Sequence, residues 1–278
     1  MNIIIKLKNL KYTGFLLVLF LCACEDVVEV NLETGEPKLV IDAEILWQKG
    51  TDGSVQTIQI TRMTGYYNQE VPKVSGAQVH IQNSNGELFE FSEVDEAGTY
   101  TCNNFIPQLN ESYTLEVLVE DQEYTASEIL IPVTQINRVE QDIVNNFSEE
   151  NIEVSFYFDD PDDEINFYLS DFNTGILQYP DYELTDDEFF NGNEIKNDFS
   201  DEDLKPGDII EIYHRGISEQ FYNYMMLILD ATDSNPFSTP PANIHGNIVN
   251  RNNPENYALG YFRLCEANYL VYTVEEEN

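Results

Sequence analysis

AQVHIQNSNGELFEF, residues 77–91, is the stretch whose reading decides the fold. AQVHIQN and ELFEF each alternate apolar with polar side chains, the period of a strand with one buried face. Between them stands Asn85-Gly86, and both residues tolerate the positive φ that a tight hairpin turn demands. The stretch therefore predicts an antiparallel hairpin closed by Asn85-Gly86.

Working outward, the same signals recur. KLVIDAEIL (residues 38–46) and VQTIQITRM (55–63) alternate or run apolar over strand lengths, and 99–102, 112–119 and 123–131 continue the series, with a further turn at Glu120-Asp121. Seven short strands at this spacing predict an immunoglobulin-like or transthyretin-like β-sandwich over residues 36–132. Pro132 closes that unit, and residues 133–140 lead into a second β-rich domain, 133–278. Within it, 152–158, 165–171 and 208–215 read as strands, 178–203 as long loops with short strands, and 259–264 with 268–275 as a terminal strand pair. The period changes once. In SEQFYNYMMLILDAT (218–232), Phe221, Tyr224, Met225, Ile228 and Leu229 recur at helical spacing behind Ser218, a natural N-cap, which predicts a helix over about 219–231. The expected class is thus mostly β with one helix.

The front of the chain has a different character. Lys6, Lys8 and Lys11 precede an apolar run, residues 14–21, too short to cross a bilayer, which takes roughly 20 residues. The run ends in LFLCACEDVVEV (19–30), where Leu21 and Ala23 stand at −3 and −1 of Cys24, a pattern that resembles a bacterial lipobox. Cys22 fits worse, because Leu21 would then occupy the position that needs a small residue. The expectation is a signal peptide over 1–23, a diacylated Cys24 as first residue of the mature chain, and an acidic tether over 24–35. Two or more acyl chains suffice for stable membrane anchoring.

Without the three lysines of 1–23, the remaining 255 residues carry 10 basic and 51 acidic side chains, a formal charge of −41. Such a field repels nucleic acid, which is excluded as a partner, and attracts cations or basic surfaces. Hydrophobic residues at 42% and aromatics at 12% are enough for packed cores, so the charge does not mean disorder. Cys102 and Cys265 could pair in an oxidising compartment, but they lie 163 positions apart in different predicted domains and read rather as two independent buried thiols.

NPFSTPPANIHGNIVN (235–250), ALGYFRL (258–264), KPGDIIEI (205–212), CEDVVEVNLETGEPKLVIDAEI (24–45) and VSGAQVHIQN (74–83) together resemble a lipoprotein family of Bacteroidetes, that of domain of unknown function 4249 (DUF4249). The likeness covers nearly all of the mature chain; it departs after GYFRL, where CEANYLVY replaces the family's short Ser/Arg-rich strand. The resemblance implies an outer-membrane lipoprotein that partners a TonB-dependent receptor in nutrient uptake. It also implies that Glu25 and Asp26 form the acidic export signal that directs such lipoproteins to the cell exterior, although acids are common enough here for the pair to be incidental.

No catalytic constellation stands out. His80, His214 and His245 show no metal-ligand spacing, and there is no nucleophile elbow or phosphate-binding glycine loop. Carboxylates are so many that any pair could be named for hydrolase work, so the expectation is a protein that is not an enzyme. Two features invite a ligand. Asp159, Asp160, Asp162, Asp163 and Glu164 crowd one turn, where Ca²⁺ would relieve their repulsion; the order of an EF-hand loop is missing, and a solvated turn serves as well. Tyr66-Tyr67, after the second strand, is an aromatic pair that a partner could cover. The loop 235–250 could be a binding loop, but its spaced apolar residues read rather as a stiff crossover that seats Phe237 and Ile244 on the core. Apart from the receptor partnership, a stand-alone surface module for glycan, peptide or divalent cation fits the same residues.

Overall fold

The computed structural model describes residues 37–65, 70–94, 96–146, 149–162, 164–189, 191–232 and 244–276. Cys24, Glu25, Asp26, Tyr66, Tyr67 and Asp163 therefore lie outside the described residues, as do the signal peptide, the tether and Phe237.

The expected hairpin forms from strands β3 (Gln78–Asn83) and β4 (Leu88–Glu93), with Val79 opposite Phe91 and Ile81 opposite Phe89. All four side chains are buried, and each contributes roughly 1.5–3 kcal/mol of hydrophobic stabilisation. The loop differs from expectation. Only Gly86 has positive φ (85°), and Gly86 N donates to Asn83 O across a three-residue loop, Ser84 to Gly86. Asn83 holds this loop from below, its side-chain oxygen accepting from Glu87 N at 2.8 Å. The two-residue turn with both residues at positive φ is at Glu120 (50°) and Asp121 (58°), between β6 (Ser112–Val119) and β7 (Gln122–Ile129).

The remaining strands of the first half are β1 (Leu39–Gln48), β2 (Gln56–Arg62) and β5 (Thr99–Cys102). β4 changes partners along its length: Leu88–Phe91 pair with β3, while Ser92 and Glu93 pair with β5. β1, β2 and β5 on one side of that switch and β3, β6 and β7 on the other supply one core of Ile41, Ile58, Ile81, Phe89, Tyr100, Leu115 and their neighbours. Tyr113, fully buried, donates its hydroxyl to Ile106 O and accepts from Gln108 N, which fixes the approach to β6.

In the second half, β8 (Ile136–Asn146), β9 (Glu149–Asp159) and β12 (Glu194–Ser200) make a three-stranded sheet in the order β12-β9-β8. It packs against β10 (Phe167–Thr174) and β13 (Ile209–Ile217) around Val154, Phe156, Phe158, Tyr168, Phe172 and Ile212. Residues 133–140 were expected as a lead-in, yet most of them are β8. It is an edge strand with Ile136 buried and charges exposed along it, so it lacks the alternation that marks a half-buried strand. β11 (Asp181–Asp186) borders β10, β14 (Val249–Asn250) borders β7, and the helix α1 runs over Glu219–Thr232.

The expected terminal strand pair is instead one strand, β15 (Leu259–Thr273). Cys265, Glu266 and Ala267, read as the break, continue the strand buried at 0%, 5% and 0% exposure. Glu266 tolerates this site because Lys49 Nζ lies 2.8 Å away and Val133 N donates to it at 2.9 Å. β15 runs parallel to β1 from Leu259 to Ala267 and antiparallel to β13 from Ala267 to Thr273, so one twelve-stranded sheet joins the halves. Pro37–Asn278 accordingly hold together as one unit. The apolar cores still divide near Pro132: the first draws on 39–130 plus Ile248, Ala258, Phe262 and Leu264, the second on 133–274.

Candidate functional site

α1 begins where Ser218 Oγ accepts from Phe221 N at 3.2 Å, the N-cap the sequence called for. Its first turn seats Phe221, 2% exposed, on Tyr261, with ring centroids 4.9 Å apart. Beyond that turn the helix does not close onto the sheet. A groove of about 340 Å³ remains between α1 and the outer face of β1, β15, β13, β10 and β11.

The helix wall is Phe221, Tyr224, Met225 and Ile228, joined by Tyr182 from β11, while the floor is charged. Asp42 and Glu44, two residues apart on β1, project to the same face. Arg263 of β15 donates from Nη1 to Asp42 at 2.8 Å and from Nε to Glu44 at 3.3 Å. Arg215 of β13 donates to Asp171, and its Nε lies 3.5 Å from Glu44 without forming a hydrogen bond. The two guanidinium groups hold the Glu44 carboxyl below the usual carboxylate range against the burial that raises it, so Glu44 is ionised at neutral pH. Gly260 lines the same floor at φ 92°, where a Cβ would meet Ile41 O at 2.1 Å.

A second polar cluster lies inside the second core. His214 is fully buried among Phe156, Phe158 and Tyr168; its Nδ1 is 3.1 Å from Ser170 Oγ and its Nε2 is 3.4 Å from Thr134 Oγ1. Burial pushes the imidazole down to about 3, so it is neutral. Asn197, also fully buried, donates to Ser170 Oγ at 3.3 Å. Ser170 and His214 are the side chains of a hydrolytic pair, but both are fully buried here.

In the turn at 159–164, the described acids Asp159 and Asp160 point different ways. Asp159 is exposed and accepts from Asn137, whereas Asp160, 6% exposed, turns inward to accept from Tyr168 Oη at 2.7 Å and Gly192 N at 3.2 Å. Among the described residues no three His, Cys, Asp or Glu side chains stand where they could hold a metal ion. His80 lies on the outward face of β3, 2.8 Å from Glu116. Cys102 and Cys265 are buried and unpaired. Among the described residues of the crossover, Ile248 is buried on the first core while Ile244 is half-buried.

The family match spans residues 25–268, from the tether into β15, and carries the description "Domain of unknown function (DUF4249)". The chain belongs to the DUF4249 family. No curated protein matches this DUF4249 protein. Among solved structures it is similar to a two-domain fibronectin type III segment of chicken tenascin (11% identity, 67% of this chain and 89% of that one, TM-score 0.22). A cytokine receptor complex (8%, 86% and 98%, TM-score 0.25) and a DUF4785 protein of Legionella pneumophila (12%, 64% and 51%, TM-score 0.24) are similar at the same level. TM-scores this low carry no functional argument.

The groove residues escape a linear reading of this DUF4249 chain. Asp42 and Glu44 look like the solvent side of an alternating strand, and Arg215 and Arg263 are single cations in apolar segments. The available signal was scarcity: with 13 basic residues against 51 acids, an arginine inside a strand has a structural partner or a ligand.

Proposed function

We propose that this DUF4249 protein is a lipoprotein anchored to the outer membrane through a diacylated Cys24, sent to the cell exterior by Glu25 and Asp26, and working as the non-enzymatic, ligand-capturing partner of a TonB-dependent receptor. The single observation that carries ligand capture is the groove under α1, where fixed charges face an apolar, largely aromatic wall. Ion pairs hold its charged groups in place, which orients a bound molecule. Anchoring rests on the lipobox-like LFLCAC segment, and the receptor on the company that the family resemblance implies. The first half, 36–132, we read as an immunoglobulin-like or transthyretin-like domain, supported by the hydroxyl of Tyr113 hydrogen-bonded back to the chain before its strand.

Isolating the native protein from detergent-solubilised outer membrane tests the partnership. A barrel receptor is expected to copurify; recovery of a clean monomer would count heavily against it.

A further inference from the structure

The charges of the groove do not balance. Arg215 is matched by Asp171, itself only 7% exposed at the side chain, and Arg263 is shared between Asp42 and Glu44. Two guanidinium groups therefore face three carboxylates, and among the described residues no other lysine or arginine lines the groove. The uncompensated charge sits where a ligand can meet it. Asp42 is 58% exposed at the side chain, and the second carboxylate oxygen of Glu44 accepts no hydrogen bond from any described residue. Arg215 Nε, 3.5 Å away, makes no hydrogen bond to this carboxylate, so the Glu44 charge is not closed off from that side.

The opposite wall favours the same sign of ligand. Aromatic faces carry the negative end of the ring quadrupole and attract cations, most strongly where water is excluded. Phe221 already receives the Arg263 guanidinium at 5.2 Å, whereas Tyr182 and Tyr224 line the groove with no cation on their faces among the described residues. At long range the formal charge of −38 draws cations toward the protein and repels anions. Three independent terms thus agree, and a volume of about 340 Å³ is at the small end for a ligand pocket.

We propose that the groove under α1 binds a small organic cation, an ammonium or guanidinium group carried on an apolar or aromatic frame, with the charge against Asp42 and Glu44 and the frame against Tyr224 and Tyr182. This rests on the ligand-capture reading and gives it a chemical class.

The test is a calorimetric titration of the full chain in nonionic detergent with three probes of similar size: phenethylammonium, 2-phenylethanol and phenylacetate. Phenethylammonium is expected to bind tightest, the neutral alcohol more weakly and the carboxylate not at all, with the cation's affinity falling as salt is raised. Asp42→Asn, at the exposed rim, should weaken the cation by about threefold or more while leaving the melting temperature unchanged. Tyr224→Ala should weaken the cation and the alcohol together. Equal binding of the three probes, no binding of phenethylammonium at millimolar concentration, or an Asp42→Asn protein that binds it unchanged overturns the proposal. Receptor copurification is read separately and is expected to survive Asp42→Asn. A receptor that copurifies with a protein blind to the cation overturns this inference alone, and cation binding without a receptor overturns only the partnership.

Discussion

Gly260 and Ile41 meet across the parallel β1–β15 pair so closely that a Cβ on Gly260 would lie 2.1 Å from the Ile41 carbonyl oxygen. Gly260 also sits at φ 92°, a conformation L side chains rarely adopt. Gly260→Ala is therefore expected to destabilise the protein by about 3 kcal/mol, from backbone strain together with displacement of β1. Urea denaturation measures it, and a loss too small to resolve would mean the strands separate freely at this point.

Arg215 and Asp171 form the most buried ion pair of the groove floor, at 11% and 7% side-chain exposure. Arg215→Met leaves Asp171 without its countercharge and is expected to cost about 3–5 kcal/mol. The double change Arg215→Met with Asp171→Leu should recover most of that loss, because it removes both desolvated charges. A double-mutant cycle in urea would show the coupling as strong non-additivity.

His214 gives the protein a sensitivity to acid. Its folded pKa of about 3 lies below the usual value of 6.5, so the unfolded chain binds the extra proton between those limits. Stability from this site is complete above pH 6.5 and falls as pH is lowered toward 3. The expected loss between pH 7 and 5 is about 2 kcal/mol, and His214→Asn should flatten that part of the profile whatever its own baseline.

Glu183 acts in the opposite direction. Burial first, then the charge of Asp198, raises its carboxyl from 4.5 to about 7. The folded protein binds the extra proton between pH 4.5 and 7, so this site destabilises at and above neutral pH and the penalty disappears on acidification. Glu183→Gln keeps an acceptor for Asp198 N, which donates to Glu183 at 3.2 Å. The variant should be more stable than the parent by about 1–2 kcal/mol at pH 8, the partial exposure of the site being discounted, and equal to it near pH 4.5. Parallel thermal melts at the two pH values check both signs.

The turn at Glu120 and Asp121 holds two non-glycine residues at positive φ. Asp121→Gly removes one left-handed penalty and is expected to gain about 0.5–1 kcal/mol, after the added flexibility of the unfolded chain is subtracted. A rise in melting temperature is the readout.

These sites divide by what a linear reading can reach. The β3–β4 pairing, the seven strands of the first half and the Ser218-capped helix follow from alternation, turn residues and capping, which act over a few neighbouring residues. The loop of the β3–β4 hairpin was less legible, since Asn85-Gly86 fits both a two-residue and a three-residue connection, and the register of Val79 with Phe91 decides between them.

By itself, then, the sequence determined a mostly β protein with one amphipathic helix and a strongly acidic composition, because composition and short-range periodicity carry those properties, while the structure showed Cys102 and Cys265 to be unpaired. Tertiary structure alone decided that β15 is one strand, that Ser170 and His214 are sealed in a core, and that Asp42, Glu44, Arg215 and Arg263 share a groove. The physical reason is common to all three. A charged or polar residue reads as turn or surface until its partner is known, and here the partners lie far away in sequence: Lys49 for Glu266, and Glu44 for Arg263, 219 positions apart. Only the folded sheet brings them close enough to offset the cost of burying them.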